Sequence, residues 1–496
     1  MIKIKIVTPE NIRTIESGTG HSLLDILRKN GNKVYAPCGG KGTCGKCRVI
    51  ITGEGEVISC KYYPDKDIEV ILPREDEANI LVHQTEYLED LPFKISNSGN
   101  LSSVPYGIAI DIGTTTVVLY FLNLLTGQIE KISSLLNPQK LYGADVITRI
   151  SYCQEHENGL SELQKSIVGV INDELNNFRI KNKINTGNFE KIIIVGNTTM
   201  LHIILGEDPL SIALAPFRPK FTDKQIRKGH LTGLNINANA EVITLPCISA
   251  FVGADIVAGL AVLKVTAKNY LFLDIGTNGE MALITGEKIL TCATAAGPAF
   301  EGANLSCGMG AVYGAISVFS NPEKYQVIGN SDPLGICGSG IVDIVVYLLE
   351  NELIDETGLL KETFIINHEK GILVTQQDIR EIQLAKSAIF SGIKILLNKA
   401  ELFMSDIDAL YLAGGFGNYI NIISAIQIGL LPYELRDKIY PVGNSAGIGA
   451  LQYLNSDDFE SKTDRILKNT QYIELSYEDE FTLEFALNMD FVKVDF

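Results

Sequence analysis

The 496-residue chain has no uninterrupted apolar run of about eighteen residues, so no membrane-spanning helix is expected. Its opening, "MIKIKIVTPE", lacks the apolar core of a secretory signal and instead alternates apolar and charged residues like a strand. The expected compartment is therefore the cytoplasm. Basic charge is also scarce: 42 Lys+Arg face 59 Asp+Glu, a formal net charge of −17. That balance argues against a nucleic-acid partner, whose phosphates reward a basic surface. The shortage is uneven. Residues 1–80 hold 12 Lys+Arg against 11 Asp+Glu, leaving 30 against 48 for the remainder, so the acidic excess lies wholly beyond the N-terminal stretch. A disulfide framework is not expected of a cytoplasmic chain. Of nine cysteines, Cys153, Cys247, Cys292, Cys307 and Cys337 are scattered singly, as small buried apolar side chains would be.

The other four are clustered. Cys38, Cys44, Cys47 and Cys60 in "CGGKGTCGKCRVIITGEGEVISC" read C-x5-C-x2-C-x12-C. Structural zinc sites also use four thiolates, but zinc ribbons pair two short C-x2-C knuckles and only one is present here. Plant-type [2Fe–2S] ferredoxins use C-x4-C-x2-C and a distant fourth cysteine, one residue different in the first gap. Gly39, Gly40, Gly42 and Gly45 let the backbone curl and aim N–H groups at an anionic cluster, and Lys41, Lys46 and Arg48 are placed to offset its charge. Around the loop, "KIKIV" and "IRTIE" predict a hairpin, and "HSLLDILRKNG" predicts a short helix with Ser22 and Asp25 in a capping box. "RVIITG" and "DIEVILP" predict further strands. In that order residues 1–75 resemble a β-grasp ferredoxin, with a last gap like that of the ferredoxin domain of molybdenum hydroxylases. Cys60 is the ligand whose spacing departs most from other ferredoxins.

Residues 76–106 lose periodicity and gather Pro, Ser, Asn and charge, which predicts a linker. Beyond it three patterns occur twice in the same order. "AIDIGTTTVVLY" (109–120) matches "FLDIGTNGEMAL" (272–283), "IIIVGNTTM" (192–200) matches "LYLAGGFGNYI" (410–420), and "LPCISAFVGAD" (245–255) matches "YPVGNSAGIGA" (440–450). Three matches in register indicate a duplicated domain with a ligand cleft between halves at 107–265 and 266–496, the second enlarged by an insertion around 297–375. Each copy opens with an apolar strand ending in Asp-Ile-Gly, whose turn N–H groups and threonine hydroxyls suit phosphate. An Asp at the strand end can hold Mg²⁺ directly or through water.

Residues 107–455 resemble the acetate and sugar kinase/heat-shock chaperone/actin superfamily, an actin-like, ribonuclease H-like ATPase fold. In it Asp111–Thr116 looks like the first phosphate loop, Asp274–Glu280 the second and Ala413–Asn418 the adenosine motif. The chain as a whole is thus expected to be α/β and α+β multidomain. A ferredoxin followed by this fold, with "NPQKLYGADVITRI", "GNTTMLHIILG", "AAGPAFEGANLSCGMGA", "GICGSGIVD" and "YLAGGFGNYI", resembles the ATP-dependent reductive activators of corrinoid proteins. Many of these have a longer linker and an extra middle domain before the first phosphate loop. Neither fits between residues 75 and 107 here.

The resemblance implies a [2Fe–2S] cluster, ATP and Mg²⁺ as cofactors, a corrinoid protein as electron acceptor, a low-potential donor and a possible homodimer. It implies phosphate contacts from Gly113, Thr114, Thr115, Thr116, Gly276, Thr277 and Asn278, and an adenosine border from Gly414, Gly415 and Asn418. Asp111 and Asp274 are the metal candidates, with Glu280 a further one. Asp255 resembles the base Asp of related sugar kinases and here would orient water; its competing reading is a helix N-cap after Gly253. Cys307 and Cys337 read as structural, against a second cluster shared by a dimer, and His202 as a core histidine. Two other functions stay open: an activator of a different low-potential metalloenzyme, and a small-molecule kinase with a redox-sensing ferredoxin domain.

Overall fold

In a computed structural model of the chain the structure describes residues 1–8, 11–32, 34, 36, 40–42, 47–72, 104–456 and 458–492. The expected linker falls almost wholly outside the described residues, as do Cys38 and Cys44. Among the described residues no helix is long and apolar enough to cross a membrane.

The N-terminal sheet follows from alternation. In β1 (Ile2–Val7) Ile2, Ile4 and Ile6 are buried while Lys3 and Lys5 face solvent. It pairs antiparallel with β2 (Ile12–Ser17) and is joined by β3 (Arg48–Ile51), β4 (Gly55–Ile58) and β5 (Ile68–Ile71) in the order β2-β1-β5-β3-β4, with β1 and β5 parallel. The helix Leu23–Lys29 lays Leu23, Leu24, Ile26 and Leu27 on the apolar face. This is the expected β-grasp, with β4 a strand that the sequence pattern did not announce. Ser22 caps the helix by accepting from Asp25 N–H, and its hydroxyl donates to Asp25 Oδ2 at 2.7 Å.

The two larger sheets repeat one plan. The first holds β6 (Tyr106–Ile112), β7 (Thr116–Asn123), β8 (Ile129–Leu136), β9 (Phe189–Gly196), β10 (Gln225–Lys228) and β11 (Glu241–Thr244), in the order β10-β11-β9-β6-β7-β8. The second holds β12 (Asn269–Ile275), β13 (Gly279–Thr285) and β14 (Lys288–Thr294), then β20 (Ala409–Ala413), β21 (Ile439–Gly443) and β22 (Thr470–Tyr472), in the order β21-β20-β12-β13-β14-β22. Each contains an antiparallel meander, followed on its other side by two parallel strands. Between β14 and β20 come β15 (Ala315–Asn321), β16 (Lys324–Val327), β17 (Gly335–Ile336) and the hairpin β18 (Phe364–Asn367) with β19 (Ile372–Val374).

Strand β6 is buried on both faces, as its nearly unbroken apolar run requires. The helices after β11 and β21, Ala254–Ala261 and Ser445–Asn455, meet at a glycine: a Cβ on Gly449 would lie 2.5 Å from Ala258 O. Only glycine permits that approach. The consequence for the site is direct, because both helices start at the same opening between the two sheets.

Candidate functional site

A cleft of about 230 Å³ runs between the halves. Asp111, Gly113, Thr114, Thr115, Thr116, Asp255, Asp274, Gly276, Thr277, Asn278, Gly414, Gly415 and Asn418 all line it. Every residue assigned to nucleotide or metal from sequence thus faces one space, though more than three hundred positions separate the first from the last.

The first loop, between β6 and β7, closes with Gly113 N–H donating to Thr116 O at 2.8 Å. It is braced from behind by a motif with no obvious chemistry, "NPQKLYGADVITRI". Arg149, fully buried, donates from Nη2 to Thr114 O at 2.5 Å, from Nε to Gly143 O at 3.0 Å and from Nη1 to Gln139 Oε1 at 3.2 Å. Asn137 Nδ2 donates to Gly113 O at 2.8 Å, and Asn197 Nδ2 to Thr114 Oγ1 at 3.2 Å. In the second loop Gly276 N–H donates to Asn278 O at 2.9 Å, while Thr277 Oγ1 donates to Glu301 Oε2 at 2.5 Å. Gly414 has φ +84° and a Cβ there would sit 2.4 Å from Asp274 Oδ1, so the second position of the third motif must be glycine.

The electrostatics call for a cation. Burial pushes the Asp111 carboxyl up to about 7, helped by the charge of Asp274 and opposed by a hydrogen bond from Asn444. Burial likewise raises Asp274 to about 7, with Asp255 and Glu301 adding to it. Asp255 is raised by burial and by Asp111, and Glu280 well above its ordinary value by burial, Asp255 and Asp274. Glu280 Oε1 is buried with no hydrogen-bond partner among the described residues. Carboxylates facing one another in so little water are stabilised by a divalent ion and destabilised without one. Among the described residues no three acidic, His or Cys side chains stand close enough to hold a metal by themselves. Mg²⁺ bound through one or two carboxylates, water and phosphate oxygens suits that arrangement. Asp255 is not an N-cap: Gly253 holds that position, and Asp255 sits in the first helical turn with Oδ1 accepting from Ile256 N–H at 2.9 Å.

Other lining residues escaped the sequence reading. Asn197, Glu301, Asn444 and Ser445 project into the cleft, as does Phe416, whose ring stacks on Phe300 at 4.8 Å. All five lie inside quoted motifs, so the signal was present but unassigned. Cys307 donates to Gly371 O at 3.6 Å and Cys337 to Ile316 O at 3.3 Å, separate backbone partners that fit structural thiols. His202 is buried, with Nδ1 on Thr198 O at 2.8 Å and its ring stacked on Phe221 at 4.0 Å.

In the N-terminal domain Cys47 and Cys60, both buried, flank the β3–β4 hairpin at one end of the sheet. Ser59 joins them, its N–H and its hydroxyl each donating to Cys47 O at 2.8 Å. Gly40 and Gly42 take φ of +92° and +76°, conformations open to glycine. Two cations assigned to the cluster are engaged elsewhere: Arg48 pairs with Glu56 at 2.7 Å, and Lys41 with Glu155 of the next domain at 2.9 Å. Among the described residues Arg28 is a cation whose charge acts on Cys47; it lies 5.1 Å over the Tyr142 ring, and its Nε and Nη2 are buried with no hydrogen-bond partner among those residues. A guanidinium with two donors to spare, acting on Cys47, fits an anionic cluster.

Known proteins share this plan. The family model described as "2Fe-2S iron-sulfur cluster binding domain" matches residues 7–70, "RACo middle region" matches 106–268, and "C-terminal domain of RACo the ASKHA domain" matches 268–496. The corrinoid activation enzyme RamQ of Eubacterium limosum is 31% identical over 94% of this chain and 95% of its own. The chain belongs to the family of reductive corrinoid activators. Another family member, the reductase of the Co(II) methylated amine-specific corrinoid protein from Methanosarcina barkeri, is 24% identical over 69% of this chain and 68% of its own. The solved structure of a reductive activator for corrinoid, iron-sulfur protein covers 99% of both chains with TM-score 0.73 and 28% identity. One expectation needs correcting. The activators' middle region is not missing for want of room before residue 107; it matches from residue 106 and contains the Asp111–Thr116 loop.

Proposed function

We propose that the chain is an ATP-dependent reductive activator that returns the cobalt of a corrinoid protein from Co(II) to Co(I), one electron at a time. The observation that carries this is the meeting of both phosphate loops and the adenosine motif in one acidic cleft, in a chain whose other sheet is a ferredoxin. Cys38, Cys44, Cys47 and Cys60 would hold a [2Fe–2S] cluster, and a plant-type cluster there would supply single electrons near −400 mV. Each 59 mV of unfavourable potential is a tenfold handicap to a one-electron step, and Co(I) is a strong reductant. A second source of free energy is needed, and it acts only by binding donor and acceptor states differently.

The nucleotide supplies it. Gly113–Thr116 and Gly276–Asn278 close on its phosphates, while Gly414, Gly415 and Asn418 border its adenosine. Asp111 and Asp274, at the two strand ends, would hold Mg²⁺, directly or through water. Asp255 orients the attacking water from the first turn of its helix, where the helix dipole favours its charge. A low-potential donor refills the N-terminal domain. None of the seven described cysteines forms a disulfide, which suits a reducing, cytoplasmic setting.

The test is spectroscopic. Protein, reductant, MgATP and a Co(II) corrinoid protein in one anaerobic cuvette should give a Co(I) signal that depends on ATP and leaves no phosphorylated small molecule. The Cys60→Ser protein should hydrolyse ATP without reducing cobalt. A Co(I) signal of equal rate without ATP would sink the coupling; a phosphorylated small molecule would identify a kinase instead.

A further inference from the structure

Glu301 is the one acidic residue of the cleft that holds the phosphate-binding hydroxyls themselves. Its Oε2 accepts from Thr277 Oγ1 at 2.5 Å, and the Thr115 side chain of the facing loop also favours its charged form. Thr115 belongs to the first loop and Thr277 to the second, so a single carboxylate bridges the two halves. Its Oε1 faces Gly276, where an added Cβ would stand 3.5 Å away. A threonine hydroxyl has one proton to give. It cannot donate to Glu301 and to a phosphate oxygen at once, and two anions cannot share that space without a large penalty. Phosphate and the Glu301 carboxylate therefore compete for the same two donors.

The carboxylate is anchored so that its movement is transmitted. Glu301 ends the turn Pro298–Glu301, bracketed by Gly297 and Gly302, both with φ +76°. Phe300 stacks on Phe416 of the adenosine motif, and a Cβ on Gly338 would meet Phe300 O at 1.8 Å. After Gly302 the chain runs out through the partly exposed stretch 303–311, tied down by Ser306 N–H to Asp378 Oδ1 at 2.7 Å and Met309 N–H to Ile336 O at 2.9 Å. A Cβ on Gly302 would lie 1.9 Å from Met309 O, so turn and exit segment are in backbone contact.

We propose that Glu301 is a phosphate-displaced latch: it joins the two loops through Thr115 and Thr277 until the terminal phosphates of a nucleoside triphosphate take those hydroxyls, and its displacement shifts the 297–311 segment at the surface. This rests on the nucleotide reading above. It makes Glu301 a positioning residue that reports phosphate occupancy.

Hydrogen exchange and calorimetry on the full chain test it. In the wild type, a non-hydrolysable MgATP analogue should change amide exchange across 297–311, and AMP should not. Glu301→Gln keeps the volume and removes the charge. It should bind the triphosphate analogue about tenfold tighter, the effect of deleting a charged competitor for two hydrogen bonds. Its AMP affinity should be unchanged, and its 297–311 exchange should match nucleotide-bound wild type before any ligand is added. Glu301→Gln binding the analogue equally or more weakly, or 297–311 exchange indifferent to the analogue in the wild type, would overturn the latch while leaving the nucleotide site intact. Should the wild type bind neither analogue nor AMP, the nucleotide reading fails, and the latch with it.

Discussion

The two phosphate loops share a fold and differ in what stands behind them. The first is held by a buried arginine and two asparagines, which donate to Thr114 O, Gly113 O and Thr114 Oγ1. The second has a carboxylate against its threonine and another, Asp274, pressed on Gly414. Donors that satisfy buried backbone carbonyls leave the loop nothing better to do than stay in place. A carboxylate sharing hydroxyls with an incoming phosphate can be exchanged. Duplication set the topology twice; what differs is that the first loop's backbone carbonyls are fixed from behind, while Glu301, which faces the threonines of both loops, backs the second.

The sharpest way to break that comparison is Arg149→Ala. It strands Thr114 O, Gly143 O and Gln139 Oε1 in the core, and should cost about 3 kcal/mol or more in denaturant unfolding. ATP turnover should fall with it. A variant as stable as wild type would mean that the first loop is not fixed from behind. Asp274→Ala comes next. Without the second-half metal anchor, turnover should drop about a hundredfold with folding preserved, and Asp255→Asn should slow hydrolysis comparably while nucleotide affinity survives. Rapid-quench kinetics beside calorimetry separates the two.

Gly415→Val is gentler. Nothing lies within 4 Å of a Cβ at that position and its φ is not positive, so the fold should be untouched. Nucleotide affinity should fall roughly tenfold through loss of the adenosine surface. Unchanged affinity would put the adenosine elsewhere. The smallest effect is on pH. Folded Asp111 and Asp274 titrate near 7, well above an unfolded carboxylate, so between about pH 4 and 7 the folded state carries the extra protons. Stability without ligand should therefore fall as pH rises through that window, by ~1 kcal/mol per pH unit for each group fully out of balance. MgATP should flatten the slope by giving the ionised carboxylates a cation. A melting temperature that climbs from pH 5 to 7 without nucleotide would contradict the crowding of acids in the cleft.

Much of this was legible in sequence. Alternation in "KIKIV", the unbroken apolar run of "YGIAIDI" and the repeated Asp-Ile-Gly turns are local signals, each set by a few neighbouring side chains. They identified most of the strands and the duplication, and the family resemblance added the thirteen residues that share the cleft. Lys41 and Arg48 show the limit. Proximity in sequence suggested that they neutralise the cluster, but their carboxylate partners come from across the hairpin and from another domain, at Glu56 and Glu155. Arg28, at the end of a helix read only for its Ser22–Asp25 cap, is a cation whose charge acts on Cys47.

By itself, then, the sequence determined the order of the parts and the chemistry of each: thiols in a glycine loop, two Asp-Ile-Gly turns, a glycine-rich third motif. Periodicity and turn preference are properties of contiguous residues, and they survive without any tertiary context. Which residues stand behind those parts was decided by packing alone. Arg149 reaches Thr114 across 35 positions and Glu301 reaches Thr277 across 24, because buried polar groups must find partners wherever the folded core brings them.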